Sequence, residues 1–248
     1  MSDVVMITGG SRGIGAATAV LAAERGFDIC LSYHSDATAA EGVAQSVVDF
    51  GRHCMIVKGD VADEGDVVSL FKSCREELGT PYGLVNNAGI VALQSQVQDM
   101  TVERLNRVFA VNITGSFLCA REAVKCMSRE HGGVGGSIVN LSSAAARIGS
   151  PNEFVDYAAS KGAIDSFTLG LAKEVATAGI RVNAVRPGLI DTEIHASSGE
   201  PDRIDRLRNA IPMQREGSAL EVAQTIVWLL SDEASYTTGS FIEVSGGR

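Results

Sequence analysis

The chain has 248 residues, 45% of them apolar and 21% charged, with 21 basic and 30 acidic side chains giving a net charge of −9. This is ordinary globular composition, long enough for one large domain or two small ones. The acidic balance disfavours nucleic-acid binding, which needs clustered Lys and Arg; no apolar run reaches the ~18 residues of a membrane helix.

"MSDVVMITGG" has no basic leader and enters a strand-like run at once, so no signal peptide is expected and the cytoplasm is the expected location. In chain order the pattern alternates β-rich and helical runs: strand 4–8, helix 14–26, strand 27–33, helix 36–50, strand 54–60, helix 63–79 and strand 82–89. Two long helical stretches follow, 101–113 and 115–131, then strand 136–143, helix 155–176, strand 180–188, helix 219–232 and strand 240–247. Strands alternating with helices predict a single doubly wound α/β domain, a seven-stranded and mostly parallel sheet with helices on both faces. Residues 189–217 are polar and weakly periodic; such an excursion after a strand's carboxyl end reads as a substrate lid or a surface loop. The cysteines, Cys30, Cys54, Cys74, Cys119 and Cys126, are odd in number and lack C-x-x-C spacing, and read as buried small residues rather than a disulfide framework. His34, His53, His131 and His195 are scattered, so no catalytic metal is expected.

"TGGSRGIG" (8–15) lies between the first strand and the first helix, the setting in which a glycine-rich turn reads as a diphosphate cradle. Gly9 permits the turn, Gly13 the approach of the diphosphate and Gly15 close helix–sheet packing, and the helix N-terminus presents free N–H groups. Ser11, Arg12 and Ile14 complete the binding set of the turn. Downstream, "YAASK" (157–161) puts Tyr157 and Lys161 at i and i+4, on one helix face. An ammonium beside the phenol predicts a lowered Tyr157 pKa and proton exchange near neutral pH.

The G-x-x-x-G-x-G turn, "NNAG" (86–89), Asn112, Ser143, "YAASK" and "RPG" (186–188), in this order over residues 4 to 247, resemble the classical short-chain dehydrogenase/reductase family, in particular its bacterial glucose-dehydrogenase-like oxidoreductases. The resemblance implies that Tyr157 exchanges a proton with a carbonyl or secondary-alcohol oxygen. It implies that Lys161 tunes the phenol and holds the nicotinamide ribose, that Ser143 binds the substrate oxygen, and that Asn112 holds a water leading from Lys161. Asp60 and Val61 would flank the adenine, and Asn87, Ala88 and Gly89 the ribose and nicotinamide. Pro187 and Gly188 would let the backbone pass the carboxamide, with Ile190 and Thr192 as its partners, although Thr192 also reads as a helix cap. Ser143 stands 14 residues before Tyr157, one more than is common in the family; Ser142 is the alternative, and the spare residue falls in "GSPNEFVDY".

Where NAD-preferring members carry Asp after the second strand, this chain has Tyr33, His34 and Ser35, and Arg12 is positioned for a 2′-phosphate. NADP(H) is therefore the expected cofactor; a later strand end would give Asp36 the acidic role and favour NAD(H). The expected substrate is a small carbonyl or alcohol: a sugar, a β-ketoacyl group or a simple ketone. Val91, Ala92, Ser95, Ala145, Pro151, Asn152, Phe154 and His195 are expected to border its pocket. A carrier-protein-linked ketoacyl reductase is the rival reading. It is weakened by Ala178 where a basic residue is usual, with Arg129, Arg203, Arg206 and Arg208 as substitutes. A non-catalytic NADP-binding regulator is a further alternative. The resemblance also implies a homotetramer, with helix pairs from 105–127 and 158–176 at its interfaces.

Overall fold

In the computed structural model, which describes residues 3–193, 199–200 and 202–248, the first strand is Val4–Ile7 (β1), four apolar residues that are all buried. Val4 and Met6 enter one apolar cluster with Leu84 and Ile138, whereas Val5 and Ile7 enter another with Val85 and Val139. Strands apolar on both faces must be covered on both, the condition met by a parallel sheet between helical layers. The other strands are Asp28–Tyr33 (β2), Cys54–Lys58 (β3), Pro81–Asn86 (β4), Gly136–Leu141 (β5), Ile180–Pro187 (β6), Ile190–Asp191 (β7), Gly217–Ser218 (β8) and Phe241–Val244 (β9). Seven of them form one sheet in the order β3-β2-β1-β4-β5-β6-β9, every neighbouring pair parallel.

The helices in chain order are Gly13–Glu24 (α1), Ala37–Asp49 (α2), Glu64–Glu77 (α3), Val102–Phe109 (α4), Gly115–Met127 (α5), Ala145–Ile148 (α6), Val155–Val175 (α7), Arg203–Leu207 (α8) and Ala219–Leu230 (α9). α3, α5 and α7 bury Leu70, Ala120 and Ala172 on one sheet face; α1, α2 and α9 bury Ala22, Val47 and Ile226 on the other. Local signals set several starts: Asp36 caps α2, Asp63 caps α3, Thr101 caps α4, and Ser218 with Glu221 forms a capping box on α9.

Two readings change. The stretches 101–113 and 115–131 are not separate helices: α4 runs into α5 through one wide π-helical turn, Ala110–Thr114. The second stretch ends at Met127, because Ser128 is extended (ψ 131°) and caps a short turn over Arg129–His131. The excursion after β6 is closed at its base by the β7–β8 pair and by the Gly217 amide donating to the Leu189 carbonyl at 3.0 Å.

Sequential strands run outward from β1 through β2 to β3, then cross to β4 on the other side. The turns after β1 and β4 therefore part in opposite directions and leave a crevice at the carboxyl ends of the strands, where such folds hold ligands.

Candidate active site

The two turns at this crevice are locked together. The Asn87 side-chain amide donates to the carbonyls of Thr8 and Gly9, both at 2.9 Å, and the Thr8 hydroxyl accepts from the amides of Asn87 (3.1 Å) and Ala88 (3.0 Å). Gly9 holds φ at 63°, and a side chain there would stand 3.0 Å from the Ala88 Cα. A side chain on Gly15 would strike the Gly9 carbonyl and the Asn87 amide. Glycine is thus required where the turn meets the helix, and the cradle stays open for a diphosphate against the N-terminus of α1.

A cavity of about 380 Å³ opens over these turns. Of the sequence-predicted residues, Gly9, Ser11, Arg12, Gly13, Ile14, Tyr33, His34, Ser35, Asp60, Val61, Asn87, Ala88, Gly89, Ser143, Tyr157, Lys161, Pro187, Gly188, Ile190 and Thr192 all line it. Gly15 packs beneath it. Asn112 lies behind it, almost fully buried: its oxygen accepts from the Ile90 amide at 2.8 Å, and its amide donates to the Ile90 carbonyl (3.0 Å) and the Ser160 hydroxyl (3.1 Å). Asn112 thereby ties the floor of the crevice to α7, and the π-helical turn is what aims it there.

At the end beyond β2, Arg12 is exposed and has no ion-pair partner among the described residues. β2 ends at Tyr33, followed by His34 and Ser35, with no acid among them; Asp36 caps α2, one oxygen accepting from the Ala39 amide at 2.9 Å, and also lines the cavity. Asp60 accepts from Arg107 at 2.7 Å and from the Ala62 amide at 2.9 Å. Burial raises its pKa, but the Ala62 amide, Arg107 and His34 outweigh burial and hold the carboxyl below its usual value.

At the other end, Tyr157 and Lys161 share one face of α7. The Lys161 ammonium donates to the Leu141 carbonyl at 2.5 Å and stands 5.6 Å from the centre of the Tyr157 ring. Burial pushes Lys161 down to about 8, against the pull of Asp165. The expectation for Tyr157 needs correction. Its pKa is raised, because burial of the phenol outweighs the opposing Ser143 hydrogen bond and Arg203 charge. Lys161 does not lower it in this arrangement, since the ammonium is itself desolvated and turned to a carbonyl. The two serines after β5 point apart: Ser142 donates to Asp165 at 2.6 Å, whereas the Ser143 hydroxyl accepts from the Ala145 amide at 3.1 Å and lies beside Tyr157.

Between Ser143 and Tyr157 the chain makes a tight loop in which Ser150 (φ 44°) and Asn152 (φ 63°) adopt left-handed backbone, a cost of order 1–3 kcal/mol each. The loop turns Phe154 into the cavity wall. Val91, Ala145 and Phe154 line the cavity as expected, but Ala92, Ser95, Pro151 and Asn152 do not. Segment 92–95 is drawn aside, with Arg104 donating to the Leu93 carbonyl and the Ser95 amide to the Glu153 carbonyl. His195 lies outside the described residues. Sequence reasoning missed Arg107, Ile148, Arg203 and Arg248 in the lining. No motif marks them: Arg107, Arg203 and Arg248 reach the cavity from distant segments, and Ile148 from the short helix α6 just after Ser143.

A family model described as Enoyl-(Acyl carrier protein) reductase matches residues 9–248. The Escherichia coli protein "Uncharacterized oxidoreductase YgfF" is 54% identical over 99% of this chain and 99% of its own length. Glucose 1-dehydrogenase 2 of Bacillus subtilis is 35% identical, with 98% and 93% covered. A 3-oxoacyl-[acyl-carrier-protein] reductase of Synechocystis is 36% identical, with 99% and 96% covered. A mutant Serratia marcescens short-chain dehydrogenase/reductase superposes with a TM-score of 0.91 at 31% identity, covering 99% of this chain and 97% of its own. With the glycine turn, the locked crevice and the fold already matching, the chain belongs to the classical short-chain dehydrogenase/reductase family and is an oxidoreductase of the kind that uses a nicotinamide dinucleotide.

Proposed function

We propose that the protein is an NADP(H)-dependent carbonyl reductase, or an alcohol dehydrogenase in the reverse direction, with Tyr157 as its general acid and base. The observation that carries this reading is the meeting of the Tyr157 phenol, the Ser143 hydroxyl and the buried Lys161 ammonium at one end of a cavity whose other end is the glycine turn. The residues present fit a dinucleotide: Gly9, Ser11, Arg12 and Gly13 line the cavity at the N-terminus of α1, and side chains at Gly9 and Gly15 would crowd the turn that forms this cradle. When bound, the nicotinamide donates or accepts the hydride at the carbonyl carbon.

In reduction, Tyr157 gives its hydroxyl proton to the carbonyl oxygen, and C=O becomes CH–OH. In oxidation the same oxygen takes the proton back. Ser143 donates a hydrogen bond to the substrate oxygen as charge builds there. Lys161, with its pKa at about 8, is protonated at neutral pH and would hold the nicotinamide ribose. Asn112 holds the floor. The 2′-phosphate assignment is supported by Arg12, which lines the cavity and lacks an acidic partner among the described residues, and by the absence of an acid at Tyr33, His34 and Ser35.

Relatives named for glucose and for a 3-oxoacyl substrate support a carbonyl or secondary alcohol. A carrier-linked thioester is less well supported. Ala178 is buried, and Arg206 and Arg208, of the basic residues considered, are paired with Glu153 and Glu200 and with Asp205 and Glu216. The regulator alternative has no support in a chain that keeps Ser143, Tyr157 and Lys161 together. The homotetramer implied by the family resemblance and the cytoplasmic location expected from the sequence remain part of this reading. Among the described residues no helix is long and apolar enough to cross a membrane.

The test is NADPH and NADH oxidation with a ketone panel by the wild type, Arg12→Ala and Tyr157→Phe. The wild type is expected to prefer NADPH, and Arg12→Ala to cut that preference by about tenfold or more. Tyr157→Phe is expected to lose about 10²- to 10⁴-fold in kcat while still binding cofactor. Undiminished turnover by Tyr157→Phe removes the acid–base role, and an NADH preference removes the Arg12 assignment.

A further inference from the structure

Among the described residues the acids of the cavity stand at one end only, where Arg12 and Arg107 accompany them. These acids, Asp36, Asp60 and Glu193, lie toward the glycine turn, Glu193 with a carboxylate oxygen 3.7 Å from where a Gly13 side chain would sit. Toward Tyr157 the charged lining groups other than Lys161 are Arg203 and Arg248. Arg203, at the start of α8, is only 11% exposed, and its guanidinium lies 4.6 Å over the centre of the Phe154 ring. Its one ion-pair partner among the described residues is Glu153 at 2.7 Å, and that carboxylate also serves Arg206 at 3.0 Å.

Arg206 has a second carboxylate in Glu200 at 3.0 Å, whereas the largely buried Arg203 has, among the described residues, Glu153 alone and shares it, so its guanidinium keeps donors that an anion in the cavity can take. Burial, with the charges of Arg206 and Arg248, pushes the Arg203 pKa below its ordinary value against Glu153 and Glu200. The charge of Arg203 also reaches Tyr157, where it opposes the effect of burial on the phenol. Ile148, Phe154 and Leu189 supply apolar lining to the cavity that Arg203 and Tyr157 share, with Ser150 beside them in the chain. A ligand that fits has a carbonyl for Ser143 and Tyr157 at one end, an anion for the guanidinium at the other, and a short apolar spacer.

We propose that the carbonyl substrate is an oxo acid and that Arg203 is the residue that binds its carboxylate. This rests on the carbonyl-reductase reading above. The fork of a guanidinium matches a carboxylate in a bidentate pair, and stacking on Phe154 fixes its plane.

The competing explanation is structural: Arg203 clasps α8 to the 149–154 loop through Glu153 and Phe154. Substitution at Glu153 separates the two, because they predict opposite signs. The experiment measures kcat/KM for C4–C6 oxo acids, their methyl esters and a phosphate-bearing ketone, and reads the acid-to-ester ratio. The wild type is expected to favour the acids. Arg203→Gln lowers the ratio about 10- to 100-fold, Arg203→Lys lowers it less, and Glu153→Gln raises it by freeing the guanidinium. A ratio near one in the wild type, or a fall with Glu153→Gln matching that of Arg203→Gln, overturns the proposal and leaves the reductase reading standing. Dependence on Arg203 with the phosphate alone overturns the carboxylate assignment. If no carbonyl is turned over, the reductase reading fails separately, and calorimetry of the same oxo acids on Tyr157→Phe with NADP+ or NAD+ still decides: binding weakened by Arg203→Gln supports the acid site, and no binding overturns it.

Discussion

Lys161 shows how one residue sets opposite pH dependences for stability and activity. Burial lowers it from an ordinary 10.5 to about 8, with Asp165 pulling the other way. Between those two values the unfolded chain keeps a proton that the folded chain has released. Lys161 therefore makes folding more favourable as pH rises through that window, and makes no such gain below about 8. On the proposed mechanism activity runs in reverse: reduction would use the ammonium and the phenol proton together, so kcat/KM is expected to fall as pH passes about 8. Asp165, held by Ser142 at 2.6 Å and Arg186 at 2.8 Å, is the charge that keeps the ammonium protonated. Asp165→Asn is expected to move the descending limb of the pH–rate profile to lower pH, and a limb that stays in place refutes the assignment. The pairing of Tyr157 with Lys161 was legible because i and i+4 on a helix is a local relation. The direction of the phenol shift was not, since it depends on how deeply the ring is buried.

At the scale of elements, the catalytic helix is fixed at its start by a contact no motif announces. Arg104 on α4 donates two hydrogen bonds to Asp156, at 2.8 and 3.1 Å, one residue before Tyr157, and the Asp156 side chain is 1% exposed. The lower end of α7 is thereby bound to the helix that carries Asn112 through the π-helical turn. Removing one partner of so buried a pair leaves the other uncompensated, at about 3 kcal/mol or more. Arg104→Ala is expected to lower Tm by roughly 10 °C in a thermal melt and to lower kcat with it; a Tm shift of only a degree or two refutes the anchoring role. Most strands and helices could be read from the chain because their caps and apolar runs are local. The fused α4–α5 helix could not: helical periodicity looks much the same on both sides of a π turn, and the feature is defined by one extra residue between hydrogen-bond partners.

At the scale of the whole molecule, some apolar surface is left uncovered by this chain. Phe117 on α5 and Leu169 on α7 are 46% and 41% exposed, and Phe117 stacks on Phe167 at 3.8 Å between ring centres. Apolar surface carried on two adjacent helices suits helix-pair association with a second copy. Sedimentation equilibrium is expected to give four times the 26.0 kDa chain mass, and Phe117→Glu to shift it toward smaller species. A single-chain mass for the wild type refutes the tetramer.

The sequence by itself determined the alternation of strands and helices, the glycine turn and its place after β1, the shared face of Tyr157 and Lys161, and the absence of an acid where β2 ends. Each of these is a relation among residues close in the chain, where backbone geometry and side-chain type suffice. Only the tertiary structure decided that Ser143 stands beside Tyr157 while Ser142 is bonded to Asp165, that Asp36 caps α2, and that Asn112 braces Ile90 and Ser160. It also brought Arg203 from the excursion after β6 to the cavity that holds Tyr157. These depend on which distant segments the sheet order brings to one crevice and on how far burial desolvates the charges gathered there, and neither is written in local spacing.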